Sequence, residues 1–550
     1  MTTIDGRLII GNKRIETEHK KESFNPATLE KIGSFDLASS ELCRKAVQTA
    51  KQAFHSWRDL PFFEKKKIFL TAKKILLSQK DRIAHLITVE KGSPLAESLA
   101  AEVLGGLEVL DYYAKRAPAY LKPKKAKHHV VLLSYKKGVF HFQPLGPTLI
   151  ISPWNYPFII PMYDILSALT TGNTVVLRPS STTALIALSI GEIFIQAGLP
   201  PGVLNIVNCQ IPQAEEMITD PAIQTIMFTG SVQTGKRVME LASHNLTNIT
   251  LELGGKDPMI VCEDADLERA AQGAVWGAFT NCGQSCGSVE RVYVQKNIAE
   301  EFTQRVVELT RELTVGNPTD ENVDMGPMTT PGQLDIVEDH IADALSKGAS
   351  ALFGGERIKD LPGYFIKPAV LTGVDHTMKV MTEETFGPVL PILPFSDLEK
   401  AVELANDSDY GLTASVWTRS RKTARRLADR IEAGTVTIND HMYSFSEPGA
   451  IWGGIKQTGI GRSHGPYGLK NLVNSKYIGS DFCRKKKQIW WFPYGKQLND
   501  LLDNALMLFH HEKPGKKIKA LLSMLPSFKR ILKGSLLRNY IKNFPRILRK

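Results

Sequence analysis

The chain has 550 residues, 43% hydrophobic and 23% charged, ordinary proportions for folded protein and too long for one simple core, so two or three structural units are expected. Six cysteines scattered from Cys43 to Cys483 exclude the dense disulfide framework of a small secreted domain and suit a reducing cytoplasm. The formal charge of +11 resides in the tail: residues 511–550 hold twelve Lys and Arg against the single acid Glu512, which leaves the rest formally neutral.

The opening residues MTTIDGRLIIGNKR do not read as a signal peptide, and no apolar run reaches the roughly eighteen residues of a membrane span. Residues 41–118 predict helices: Ala46, Ala50, Ala53, Phe54 and Trp57 recur at helical spacing, and 65–77 continues the pattern. Residues 128–143, HHVVLLSYKKGVFHFQ, predict two strands with a turn near Lys136-Lys137-Gly138. Short β-branched runs at 148–152, 174–178, 204–208, 225–228 and 249–253 then alternate with amphipathic stretches. That rhythm implies a parallel sheet covered by helices. A second α/β unit is expected beyond Cys286, with strands at 291–294, 365–371 and 414–417 and a helix at 299–313.

Several residues have chemistry in reach. Cys286 closes FTNCGQSC, a glycine-containing loop in which sulfur and backbone can approach a ligand. Most free cysteines are small buried hydrophobes, and Cys282 in the same run reads that way. Asn155 follows a strand end, where its amide can donate to a developing oxyanion or stabilise a turn before Pro157. Glu252 ends the 249–253 run just before Gly254-Gly255. A carboxylate there is expected to be partly desolvated, with its pKa drawn up toward that of a general base; the alternative is a strand-end Glu in water. Gly230-x4-Gly235-Lys236 is most of a P-loop, but Arg237 stands where Ser or Thr must hold magnesium. A nucleotide triphosphatase is therefore disfavoured, although the loop can still aim backbone N–H groups and a helix N-terminus at a pyrophosphate. No His or Cys cluster has metal-ligand spacing.

Six segments in one order carry the functional reading: SPWNYPF (152–158), FTGSVQTG (228–235), ELGG (252–255), FTNCGQSC (279–286), ETFGP (384–388) and GGIKQTGIGR (453–462). Together they resemble the aldehyde dehydrogenase superfamily across residues 20–480. The resemblance implies an α/β fold with a Rossmann-like dinucleotide-binding domain (1–120 and 145–253), a catalytic α/β domain (254–450) and a small oligomerisation β-hairpin (strands within 121–144 and 465–482) that would build a homodimer or homotetramer. It implies Cys286 as nucleophile, Asn155 and the Cys286 backbone N–H as oxyanion donors, and Glu252 as base for the deacylating water. Trp154, Arg178, Ser180, Ser181, Gly230, Ser231, Leu253, Gly254, Glu384 and Phe386 would hold NAD or NADP, while Lys456, Gly459 and Gly461 would be structural. The chemistry needs such a set. A planar carbonyl has no good hydride to give, whereas a thiolate adduct can expel one and collapse to a thioester that water must then hydrolyse.

Two departures from the family pattern bear on specificity. Many relatives carry Lys and Glu where this chain has Arg178 and Ser181; without that Glu a 2′-phosphate is not repelled, and Arg178 can pair with one. NADP is therefore expected to be accepted and slightly favoured over NAD, unless Arg178 simply replaces Lys on a ribose hydroxyl. Relatives that oxidise semialdehydes place an Arg eight residues after the oxyanion Asn; here Tyr163 stands there, among Phe158, Ile159, Ile160 and Met162. An uncharged aldehyde, medium or long in chain or aromatic, is expected. A CoA-acylating relative would generally lack Glu252, and a catalytically silent one would not keep Cys286, Glu252 and Asn155 together.

Residues 483–550 form a basic amphipathic C-terminal extension. IWWFPY at 489–494 gathers aromatics after Lys485-Lys486-Lys487, and Ile518, Leu521, Leu522, Leu525, Phe528 and Leu532 fall at helical spacing with lysines between them. Leu536, Leu537, Tyr540, Ile541 and Phe544 continue the stripe, and Pro526 is expected to kink or break it. An anionic membrane surface suits such a segment; packing on the enzyme body is the other reading, and nucleic acid is not expected as a partner. The expected location is cytoplasmic and peripheral at a membrane.

Overall fold

The β-branched runs between 148 and 253 become five parallel strands, in the order Asn248–Glu252, Thr225–Thr229, Thr148–Ile151, Val175–Arg178, Leu204–Ile206. Phe228 stands opposite Ile151 on one side and Leu251 on the other. The runs are apolar throughout because both faces are covered. Ile150, Val175, Leu177, Ile206 and Met227 enter one core, with the helices Phe62–Ser78, Ile159–Thr171 and Ala184–Gln196. The alternate residues Leu149, Ile151, Val176, Ile226 and Phe228 enter another, as the two-residue period of a strand requires. These details come from a computed structural model that describes residues 4–130, 133, 136–482, 488 and 491–531.

Three antiparallel strands, unmarked in the sequence pattern, complete this sheet. Leu8–Ile10 and Lys13–Ile15 extend the edge beyond Leu204–Ile206, and Gly459–Ile460 lies against Asn248–Glu252 at the other edge. A second sheet of seven strands runs Ser350–Phe353, Ala369–Thr372, Val389–Phe395, Val289–Gln295, Asp257–Val261, Thr413–Trp417, Thr435–Ile438, with only the first antiparallel. The strand expected at 365–371 starts late, at Ala369. Pro368 precedes it and has no N–H to give a ladder, and Ile366 makes only an isolated bridge to Arg357.

The described contacts divide into two units, residues 1–121 with 143–474 and residues 122–142 with 475–550. The second unit corrects the reading of 128–143. Where a turn is expected near Lys136-Lys137-Gly138, a strand, Lys137–Pro144, already runs, and among the described residues of the stretch it is the one strand, flanked by Lys124–Lys125 and Val473–Ser480. Gly138 lies within the strand: a Cβ there would come 2.5 Å from the Tyr477 hydroxyl, so the glycine admits a ring rather than making a turn. Residues 131, 132, 134 and 135 lie outside the description.

Further along, the helices Lys496–His510 and Pro514–Ile531 form a hairpin in which Leu501, Ala505 and Leu508 pack with Ala520 and Met524. The second helix is not broken at Pro526 but runs five residues past it, since the ring removes one intrahelical hydrogen bond and need not remove the next. The expectations for Cys483, Lys485, Lys486, Lys487, Ile489 and Trp490, for the side chains of Leu525 and Phe528, and for everything from Leu532 onward, lie outside the described residues. Among those residues no helix is long and apolar enough to cross a membrane.

Candidate active site

All the motifs of the first sheet follow the carboxyl ends of its parallel strands: Trp154 and Asn155 after Ile151, Ser180 and Ser181 after Arg178, Gly230 and Ser231 after Thr229, Gly254 after Glu252. That edge is where open α/β sheets bind ligands. The Cys286 loop meets it from the second sheet. The helix Leu267–Phe279 ends, and the chain turns through Asn281 and Cys282 in left-handed conformation, φ 57° and 55°. Such backbone is costly for residues other than glycine and must be held by its surroundings. Here Glu97 accepts hydrogen bonds from the Asn281 N–H at 2.9 Å and the Thr280 hydroxyl at 2.8 Å. The Asn281 amide donates to the carbonyls of Asn155 and Gln284, both at 3.0 Å, and Asn155 donates to Gln284 O at 3.1 Å. Asn155 is thus fixed against the Cys286 loop with one of its two amide hydrogens uncommitted. From the other side Gly255 passes so close that a Cβ would lie 2.1 Å from the Cys286 carbonyl oxygen. Cys282 is buried with its sulfur 3.5 Å from that of Met328, a packing position.

Cys286 and Glu252 line one cavity with Ile160, Asp164, Thr229, Leu253, Leu412, Phe445, Trp452, Ser463 and His464. Burial, then the carboxylates of Glu384, Asp257 and Glu252, push the Cys286 thiol far above its usual pKa. Glu252 is 7% exposed, and neither carboxylate oxygen accepts a well-formed hydrogen bond. Burial and the like charge of Asp164 push it up to about 8. Its backbone is clamped by the Gly459–Ile460 strand: Leu253 N donates to Thr458 O at 2.8 Å, and a Cβ on Gly459 would sit 1.9 Å from Leu251 O. The far wall is aromatic. Tyr163 stacks on His464 at 3.6 Å between centroids and donates to Phe445 O at 2.9 Å, and Phe445 meets Trp452 edge-on. Burial drives His464 down to about 3, so the imidazole is neutral.

Glu384 and Phe386 come to the same region from the second sheet. Glu384 accepts from Gly255 N at 2.9 Å, and Phe386, with φ 49°, lies edge-on to Trp154 at 5.5 Å. Ser231 caps the helix Val232–Ser243, accepting from Thr234 N, and Gly230 N donates to Glu252 O at 3.0 Å. Arg178 donates from Nη2 to Cys209 O at 3.1 Å and keeps a buried Nε without a partner. A dinucleotide fits this set: a capped helix N-terminus for the pyrophosphate, an unpaired guanidinium N–H on the ribose side, and an aromatic pair beside Glu384.

Residues 14–478 match the profile of the aldehyde dehydrogenase family. The chain belongs to that family. It is an NAD(P)-dependent aldehyde dehydrogenase of α/β fold. The 4,4'-diapolycopene aldehyde oxidase of Methylomonas sp is 39% identical over 463 residues, 84% of this chain and 86% of that protein. Among solved structures, an NADP dependent enzyme of E. coli superposes with a TM-score of 0.84 at 32% identity, over 87% of this chain and 98% of its own. The betaine aldehyde dehydrogenase of Staphylococcus aureus in complex with NAD+ gives 0.83 at 31% identity, over 89% and 97%.

Three features of this aldehyde dehydrogenase were not singled out from sequence. Asp164 is a buried carboxylate facing Glu252, itself pushed up to about 8 by burial. A lone charge in the helix IIPMYDILSALTT is the signal that could have found it. Lys21 donates to Ser181 Oγ at 3.1 Å, so the cation touching Ser181 is Lys21, while Arg178 is engaged at Cys209. Lys256 and Glu290 form a buried ion pair at 2.5 Å. The Glu290 carboxylate also accepts from the N–H groups of Thr385 and Phe386 at 2.8 and 2.9 Å, which sets the loop bearing Glu384 and Phe386.

Proposed function

We propose that this aldehyde dehydrogenase oxidises an uncharged aldehyde, medium or long in chain or aromatic, to its carboxylic acid through a Cys286 thiohemiacetal and thioester. The single observation behind the substrate class is the wall of the Cys286–Glu252 cavity: among the described residues no Lys or Arg lines it, His464 is neutral, and Phe445, Trp452, Leu412 and Ile160 supply apolar surface. A substrate carboxylate would find no cation there. Cys286 sulfur adds to the carbonyl carbon once its proton has left, and the oxyanion takes hydrogen bonds from Asn155 and the Cys286 N–H. Glu384, Phe386 and the Ser231 helix end would hold the dinucleotide, which would supply the hydride acceptor. Glu252 then takes a proton from water, whose oxygen attacks the thioester, releasing the acid and the Cys286 sulfur.

Trp154, Arg178, Ser180, Ser181, Gly230, Ser231, Leu253, Gly254, Glu384 and Phe386 are read as the dinucleotide site. NADP is accepted and slightly favoured, a preference supported by Lys21 at Ser181. Residues 1–120 with 145–253 are read as the dinucleotide-binding domain, 254–450 as catalytic, and the strands within 121–144 and 465–482 as the oligomer contact. Val473–Ser480 is a sheet edge with Tyr477 and Ile478 exposed, which favours pairing with a second copy. The enzyme is placed in the cytoplasm, with the 483–550 extension on an anionic membrane.

The test is formation of reduced cofactor with aldehydes from acetaldehyde to decanal, benzaldehyde and succinic semialdehyde, against NAD+ and NADP+, beside Cys286→Ala. Turnover that favours the apolar aldehydes and vanishes in Cys286→Ala is expected. Preference for succinic semialdehyde would overturn the substrate class, and an active Cys286→Ala would overturn the nucleophile.

A further inference from the structure

We infer that the C-terminal hairpin is an interfacial anchor that lays its second helix, Pro514–Ile531, flat on an anionic lipid surface. This deepens the membrane reading above and is independent of the catalytic one. The hairpin satisfies its own core with Leu501, Ala505, Leu508, Ala520 and Met524. It leaves an apolar pair exposed on each helix, Leu502 and Leu506 on the first and Ile518 and Leu522, one turn apart and 55% and 59% exposed, on the second. An isolated exposed Leu needs no explanation; a pair in one helical row beside a cationic flank does. Lys513, Lys516, Lys517 and Lys519 provide that flank, and no Asp or Glu follows Glu512 in the chain. Ahead of the hairpin Trp491, Phe492 and Tyr494 are 54%, 77% and 61% exposed, residue types that settle at the headgroup level of a bilayer.

Charge selects the occupant. A second copy of the tail would bring a net +11 against a net +11 over residues 511–550, which repels. Nucleic acid would satisfy the lysines but not Ile518 and Leu522. A bilayer containing acidic phospholipid answers both, with phosphates for the lysines and acyl boundary for the apolar row. The first helix, Lys496–His510, carries Asp500 and Asp503, so the second is the one that faces lipid. The tail also lies beyond the residues matching the family, 14–478, so the anchor is an addition to the enzyme rather than part of its machinery.

The test is co-sedimentation of the full chain with vesicles of phosphatidylcholine alone or with phosphatidylglycerol added. Turnover of a short soluble aldehyde is measured on the same samples. Wild type is expected to sediment only with the anionic vesicles and to be released by salt. Joint Lys516→Glu, Lys517→Glu and Lys519→Glu is expected to weaken partition by more than about a hundredfold, the loss from neutralising three lysines alone, and joint Ile518→Glu and Leu522→Glu to abolish it. Ile518→Trp, which keeps the helix and enlarges its apolar row, is expected to strengthen partition. Equal sedimentation with both vesicle types, no sedimentation, an unchanged Glu double variant or a weakened Ile518→Trp would overturn the anchor. So would dissociation of the oligomer by the Glu variants without loss of vesicle binding. Unchanged turnover in any of these cases leaves the catalytic reading standing.

Discussion

Asp164→Asn separates the two causes that hold Glu252 out of its ordinary range. Burial and the Asp164 charge together place Glu252 at about 8. About one tenth of it is then ionised at pH 7 and about nine tenths at pH 9, so base-dependent deacylation should rise roughly tenfold between them. Asp164 itself gives up its proton only near pH 8, so the Asn variant removes a like charge that develops over the range in which Glu252 titrates, and it leaves the burial. Glu252 then titrates at lower pH while staying above a free carboxylate, and the tenfold ratio contracts toward one. The assay is kcat from pH 5.5 to 9.5 with a fast-acylating aldehyde, alongside the initial burst of reduced cofactor, which reports acylation. Thermal stability gives an independent reading. Asp164 has a folded pKa of about 8 against 3.8 for the free group, so the folded chain keeps a proton that the unfolded chain has released across this window. Its contribution to stability falls as pH rises from 3.8 to 8, and the variant should gain on wild type toward pH 8. An acid limb that stays in place, or moves to higher pH, would refute the coupling.

Glu290→Gln should disturb the dinucleotide more than the aldehyde. It leaves Lys256 buried without its counter-charge, a loss of about 3–5 kcal/mol in comparable pairs, and loosens the loop of Glu384 and Phe386. A lower melting temperature and a higher KM for cofactor are expected, with the aldehyde KM little changed. Ser181→Glu should weaken NADP+ by roughly tenfold or more through like-charge repulsion and spare NAD+. Lys21→Ala should weaken NADP+ alone, and fluorescence titration with both cofactors checks both substitutions.

The strands at the heart of the fold were legible because a strand buried on both faces must be a short apolar run, and 148–151, 175–178 and 225–229 are such runs. The position of Glu252 beside Gly254-Gly255 was legible for a related reason: a carboxylate ending an apolar strand is buried unless the chain turns it out. What could not be read were contacts between distant residues of ordinary type. Lys21 looks like any surface lysine until Ser181 is beside it, 160 positions away. Lys256 and Glu290 look like two solvated charges, because the sequence does not say that both lie inside. The Gly459–Ile460 strand is too short for any period to reveal. Gly138 misled because a glycine after two lysines usually marks a turn, whereas here it makes room for Tyr477.

The clamp on Glu252 has a consequence for how the enzyme comes into being. Thr458 bonds Gly254 across 204 positions, and Phe445, Trp452, Ser463 and His464 finish the cavity later still than the nucleophile loop. A ribosome therefore delivers Cys286 well before it delivers the segment that fixes the base and closes the pocket. Throughout that interval the thiol keeps the ordinary pKa that burial later raises, so the unfinished chain carries a more readily ionised sulfur than the finished one. The finished wall therefore both completes the cavity and withdraws the sulfur from water, and both wait on the chain as far as Trp452 and His464.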